Sequence, residues 1–94
     1  MLTVDSQVCK KKHIPWRLIE GEAVLVDVDK GDVIYLDEAG AEIWKVIDQK
    51  NNEKLLIKEI ISHICAQFEV EQTVAEADVL EFLNELAQKE VISD

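Results

Sequence analysis

The chain has 94 residues, 48% hydrophobic and 32% charged, with ten Lys/Arg against twenty Asp/Glu and a formal net charge of −10. That length and mixture describe one folded domain with a modest core, leaving little room for an enclosed active-site cavity. Residues 1–36 carry five Lys/Arg and six Asp/Glu, and residues 37–94 carry five and fourteen. Phosphate backbones and anionic membrane surfaces repel the acidic second part, which disfavours nucleic-acid and membrane partners.

Residues 1–13 alternate polar and apolar only through Val4, Ser6 and Val8 before the Lys10, Lys11, Lys12 cluster, so they read as an N-terminal arm or one weak strand. From Ile14 the pattern changes. Short β-branched runs, IPWRLIE, EAVLVDVD and DVIYL, are separated by Gly21 and by Asp29-Lys30-Gly31. They predict a three-stranded antiparallel meander with a tight hairpin and Gly31 at positive φ.

Past Leu36 the apolar period lengthens to about 3.6. Ala39, Ile43, Val46 and Ile47 form one stripe, with Asp37 placed to cap a helix over Glu38 to Gln49. Asn51 and Asn52 interrupt, and a second helix follows on Ile57, Ile60, Ile61, Ile64, Cys65 and Phe68. Thr73 to Glu76 has capping-box spacing, and Val79, Phe82, Leu83, Leu86 and Ala87 continue as the apolar face of a third helix. Val91 and Ile92 are expected to fold back onto the core. The fold class is therefore α+β, with a three-stranded antiparallel sheet followed by three helices (βββααα), in the manner of a winged helix.

Little in the chain suggests chemistry. His63 and Cys65, two apart on a helix, point to different sides and cannot form a thiolate-imidazolium pair. Cys9, His13, His63 and Cys65 offer zinc-type ligands without the short knuckle or same-face spacing of a structural site. Glu81 and Glu85 share a helix face and read as solvated carboxylates, and the three glycines form no phosphate loop. No catalytic residue, metal or cofactor is expected, and the protein is read as a non-enzyme. Two cysteines make no disulfide framework, and no apolar run reaches signal-peptide or membrane-span length, so a cytoplasmic setting is the simplest.

The informative feature is the last predicted strand, Asp32, Val33, Ile34, Tyr35 and Leu36. It is apolar on both faces, Ile34 and Leu36 on one, Val33 and Tyr35 on the other. One face packs on the helices, and the other is left for the N-terminal arm or for a partner. A sheet this small has edges, and an edge strand can accept another chain.

The stretch AVLVDVDKGDVIYLDEAGAEIWKVI, residues 23–47, resembles the PqqD-like family of recognition domains for ribosomally made, post-translationally modified peptides. The resemblance rests on Gly31, Val33, Leu36, Asp37, Ala39, Gly40, Ile43 and Trp44. It continues through Ile60 to Val70 and Asp78, Val79, Phe82, Leu83 and Leu86. Asp37 stands where the family usually has Asn. Lys89-Glu90 stands where a Gly commonly ends the last helix, which predicts a different ending without a left-handed glycine. The resemblance implies that residues 14–94 form a stand-alone peptide-recognition domain.

In that family the leader segment of a precursor peptide lies as an added antiparallel strand beside the third strand, its apolar side chains entering a groove with the third helix. Carried over, the ladder is Asp32 to Leu36, and the groove involves Val33 and Tyr35 with Val79, Phe82, Leu83 and Leu86, some of which must face the core instead. The implied partners are the leader peptide and a separate modifying enzyme, either a lasso-peptide leader protease or a radical SAM enzyme of pyrroloquinoline quinone synthesis. A strand-paired homodimer would use the same edge. The alternative from another class, a winged-helix DNA-binding regulator, requires a basic third helix. Residues 71–90 instead hold Glu71, Glu76, Asp78, Glu81, Glu85 and Glu90 against Lys89.

Overall fold

The computed structural model describes residues 1–50 and 53–94. The expected meander forms from β2 (Trp16–Ile19), β3 (Glu22–Asp27) and β4 (Asp32–Leu36), in the order β2-β3-β4. Glu20 and Gly21, at φ 52° and 86°, make the two-residue loop between β2 and β3, with the positive φ at both positions that a type I′ turn needs. The second hairpin is wider than the tripeptide suggests. β3 ends at Asp27, Val28 is exposed, and the Gly31 N–H donates to the Asp27 carbonyl at 2.7 Å with Gly31 at φ 73°.

Three helices follow, α1 (Glu38–Gln49), α2 (Ile57–Phe68) and α3 (Gln72–Gln88). The Asp37 carboxylate accepts from the Gly40 N–H at 2.8 Å, the expected cap. The buried face of α1 is rotated from the expected stripe. Ile43, Trp44 and Ile47 are enclosed with Gly40 and Ala41, whereas Ala39 is exposed, because Trp44 is the larger apolar side chain and takes the core. The predicted interruption at Asn51 and Asn52 lies outside the described residues.

α2 buries Ile57, Ile60, Ile61 and Ile64 as its periodicity requires. It ends on Glu69 in the left-handed conformation, φ 52° and ψ 45°. That sharp ending lets α3 begin at Gln72, one residue before Thr73, so the capping box does not form and the cap residue Glu71 makes no side-chain hydrogen bond. At its other end α3 closes in a Schellman arrangement, Glu90 N–H to Ala87 carbonyl at 3.0 Å and Val91 N–H to Leu86 carbonyl at 3.1 Å. Glu90 itself takes φ 62°. The left-handed ending is therefore kept without glycine, contrary to the sequence expectation, because closing those two bonds offsets the strain of a non-glycine residue there.

A second sheet was not anticipated. β1 (Gln7–Lys10) lies between β5 (Leu55–Leu56) and β6 (Ile92–Ser93), antiparallel to both. Val8 is fully buried, as are Leu55, Val91 and Ile92 to within 2%. The Ser6 carbonyl accepts from the Ile57 N–H at 3.0 Å and so serves the start of α2. The N-terminal segment is tied to the meander by Lys11, whose ammonium reaches both oxygens of the buried Asp27 at 3.1 Å. Burial pushes the Asp27 carboxyl up. Hydrogen bonds from Lys11 and the Lys30 N–H, with the Lys11 charge, outweigh it and hold the group below the ordinary carboxylate range. Lys11 is raised above its ordinary value, chiefly by its hydrogen bond to Asp27.

Candidate peptide-binding site

β4 is the last strand of its sheet, and its alternation decides what it can offer. Ile34 and Leu36 are buried against the helices, while Val33 and Tyr35 are 51% and 78% exposed. The N-terminal arm does not cover them, since it pairs with β5 and β6 instead.

The backbone register is equally specific. The Val26 N–H donates to the Pro15 carbonyl at 2.9 Å, so Val26 and Val24 turn their backbone groups toward β2. In an antiparallel ladder the intervening residues turn the other way, so Ala23, Leu25 and Asp27 serve β4 through Leu36, Ile34 and Asp32. Val33 and Tyr35 are left directing their N–H and C=O groups to the open side. The same two residues thus expose both side chain and backbone.

α3 borders that open side. At one end of β4 the Lys30 ammonium donates to the Lys89 carbonyl at 3.2 Å and to the Glu90 carboxylate at 2.9 Å. At the other end α3 closes on the start of α1, where a methyl group built on Gly40 would come within 2.9 Å of Phe82 Cε1. Glycine at position 40 is what permits that approach. The C-terminal half of the helix therefore runs antiparallel to β4, held near Phe82 and just past its C-terminal end, and α3 packs chiefly on α2 and β6 rather than on the strand.

Past the end of β4, between α1, α2 and α3, lies a cavity of about 360 Å³ with Ala39, Gly40 and Ile43 on one wall, Ile64 and Phe68 at the back, and Phe82 on the other wall; Asp37, next to the strand, lines it, and no β4 residue does. A wider hollow of about 640 Å³ lies between Met1, Asn84 and Asp94, framed by the chain ends.

The third-helix residues divide sharply. Phe82 is half-buried and lines the cavity, and Val79 lines it from a nearly enclosed position at 1% exposure. Leu83 and Leu86, at 0% and 2%, are core residues. Sequence reasoning missed Gly40, Ile64 and Phe68 as walls. Only the spacing of Gly40 from Asp37, which marks the first turn of α1, hinted that another element could approach there.

The other candidate groups are scattered. Cys9 lies near Ser93 on the small sheet, whereas His63 faces Glu42 at 3.5 Å. The Glu42 carboxyl is held below its ordinary value, first by its hydrogen bond from Lys45. Among the described residues no group of three or more His, Cys, Asp or Glu side chains is arranged to hold a metal ion. Among them, too, no helix is long and apolar enough to cross a membrane. The exposed face of α3 is acidic, with Asp78, Glu81 and Glu85 outermost, the opposite of a DNA-reading helix.

The chain is thus an α+β domain whose meander ends in a strand unpaired on one side, with its last helix alongside. Residues 22–92 match the family model described as coenzyme PQQ synthesis protein D, PqqD, and the chain belongs to that family. Its structure is similar to that of TbiB1 in complex with the TbiA(beta) leader peptide, with a TM-score of 0.78 and 28% identity over 90% of this chain and 94% of that one. It shares its fold with the PqqD portion of Methylobacterium extorquens PqqCD, a stand-alone recognition element for ribosomally synthesized and post-translationally modified peptides. That match has a TM-score of 0.79 and 20% identity over 100% of this chain and 96% of that one. No curated protein matches the sequence significantly.

Proposed function

We propose that this protein is a peptide-binding adaptor. It takes the leader segment of a ribosomally synthesised precursor as an added strand on β4 and holds the precursor for a separate modifying enzyme, with no catalytic residue of its own. The observation that carries the reading is the coincidence at Val33 and Tyr35 of free backbone groups and uncovered apolar side chains, with an apolar cavity between the helices just past the end of the strand.

Main-chain pairing supplies affinity that is indifferent to sequence. Alternate side chains of the captured strand, those turned inward toward Phe82 and the cavity, supply selection. A disordered leader pays its ordering cost on binding, which keeps the complex reversible. The gain for the pathway is effective concentration, because the modifiable segment stays within linker reach of the enzyme. That enzyme is a leader protease or a radical SAM protein, and the setting is the cytoplasm. Self-pairing of two β4 edges would occupy the same groups, so a homodimer and the peptide complex are mutually exclusive.

An amide NMR titration with the leader of a precursor encoded beside this gene tests the proposal. Shifts should concentrate at Asp32 to Leu36 and around Gly40 and Phe82. A titration at large peptide excess with no change in those signals would remove the assignment.

A further inference from the structure

The groove has a charge that its neighbours do not neutralise. Among the described residues, Lys10, Lys11, Lys30, Lys45 and Lys58 each have a carboxylate partner. None of those partners is on the body of α3. Along that helix Asp78, Glu81 and Glu85 stand at spacings of three and four, so like charges are stacked on neighbouring turns and repel. Glu85 also sits in the last turns, where the helix dipole favours cations.

These carboxylates lie on the side of α3 that adjoins Phe82. At helical spacing, Asp78 and Glu85 are the turns just before and after that ring on its solvent side, and Asp78 itself lines the cavity with Asp37. Asp32 and Asp37 bracket β4 on the opposite wall. Among the described residues Lys89 is the only cation on the same stripe, and Lys30, at the end of the groove, is already held by Glu90.

Resting on the strand-addition reading above, we infer that the segment this protein captures is a basic amphipathic strand. Its inward apolar side chains would fill the Phe82 cavity, and Lys or Arg side chains flanking them would extend along their aliphatic stems to Asp78, Glu85, Asp32 and Asp37. An added strand places alternate side chains on the α3 side, about 7 Å apart, which is within reach of carboxylates one or two helical turns apart. Each exposed pair contributes modestly. Two or three together amount to about a tenfold preference over a neutral strand at low salt, weakening as ionic strength rises.

Selection of a displayed library of random twelve-residue peptides on the immobilised full chain tests this whatever the precursor's sequence. The same selection is run on Val33→Pro, which spoils the free edge, and on Asp78→Asn/Glu85→Gln, which leaves the edge intact; each variant's melting curve confirms that it is folded. The expected result is an enriched set with Lys or Arg beside apolar residues and net positive charge. Val33→Pro loses it, and the Asn/Gln variant retains binders without the positive bias. Neutral or acidic binders that still depend on the β4 edge would overturn the charge inference and leave strand addition standing. Basic binders unaffected by Val33→Pro would mean diffuse attraction to an acidic surface and would also overturn it. No enrichment on the native chain would remove the strand-addition reading, and this inference with it.

Discussion

Replacing Val33 with proline removes one N–H from the open side of β4 while leaving the groups that β3 uses untouched, because those belong to Asp32, Ile34 and Leu36. Proline is tolerated on an edge strand when its missing N–H faces outward, and Val33 is half exposed, so little burial is lost. Val33→Ala is the reference, since it trims the side chain and keeps the N–H. One backbone hydrogen bond to an incoming strand contributes about 0.5–1.5 kcal/mol, and the partner carbonyl that the pyrrolidine ring leaves unsatisfied adds about 1–3 kcal/mol. The two together, about 1.5–4.5 kcal/mol, predict that Val33→Pro binds a leader peptide at least about 10-fold, and up to about 2000-fold, more weakly than Val33→Ala. Melting temperatures of the two variants should lie within a few degrees. Fluorescence anisotropy with a labelled leader peptide gives the affinities. Equal affinity of the alanine and proline variants, both folded, would show that the peptide does not pair with this edge.

Four other outcomes follow from the same geometry. Gly40→Ala gains about 0.5–1 kcal/mol of helix propensity but must displace the Phe82 ring, so thermal unfolding should change little while peptide affinity falls. Leu83→Ala, at a fully buried position, should cost about 2–5 kcal/mol in denaturant unfolding, whereas Phe82→Ala should mainly weaken peptide binding. Glu69→Gly relieves a left-handed residue and should stabilise the fold by about 1 kcal/mol in urea unfolding. Because the Asp27 carboxyl is depressed in the folded state, its contribution is present above its unfolded value of 3.8 and is lost as pH falls through the lower folded value. Asp27→Asn should therefore be less stable than the native chain at neutral pH, with the gap in urea unfolding closing in acid. The raised Lys11 adds the mirror effect, a contribution that fades only as pH climbs past 10.5.

Local pattern alone determined the meander, the three helices and the alternation of β4. The periods of 2 and 3.6 are set by backbone geometry and survive any arrangement of the elements. That Ile34 and Leu36 would share one face and Val33 and Tyr35 the other was legible for this reason. Tertiary structure decided the rest. β1, β5 and β6 are too short to carry a period, and β1 forms only because its partners, half the chain or more away in sequence, are brought beside it. Where α1 points its face was settled by the bulk of Trp44 rather than by the regularity of Ala39, Ile43, Val46 and Ile47. The division of α3 into Phe82 at the groove and Leu83 and Leu86 in the core could not be read from an apolar stripe. A stripe records which residues leave water, and only the packing of α3 against α2, with one turn of α1 pressed to Phe82 at Gly40, decides which of them still face an opening.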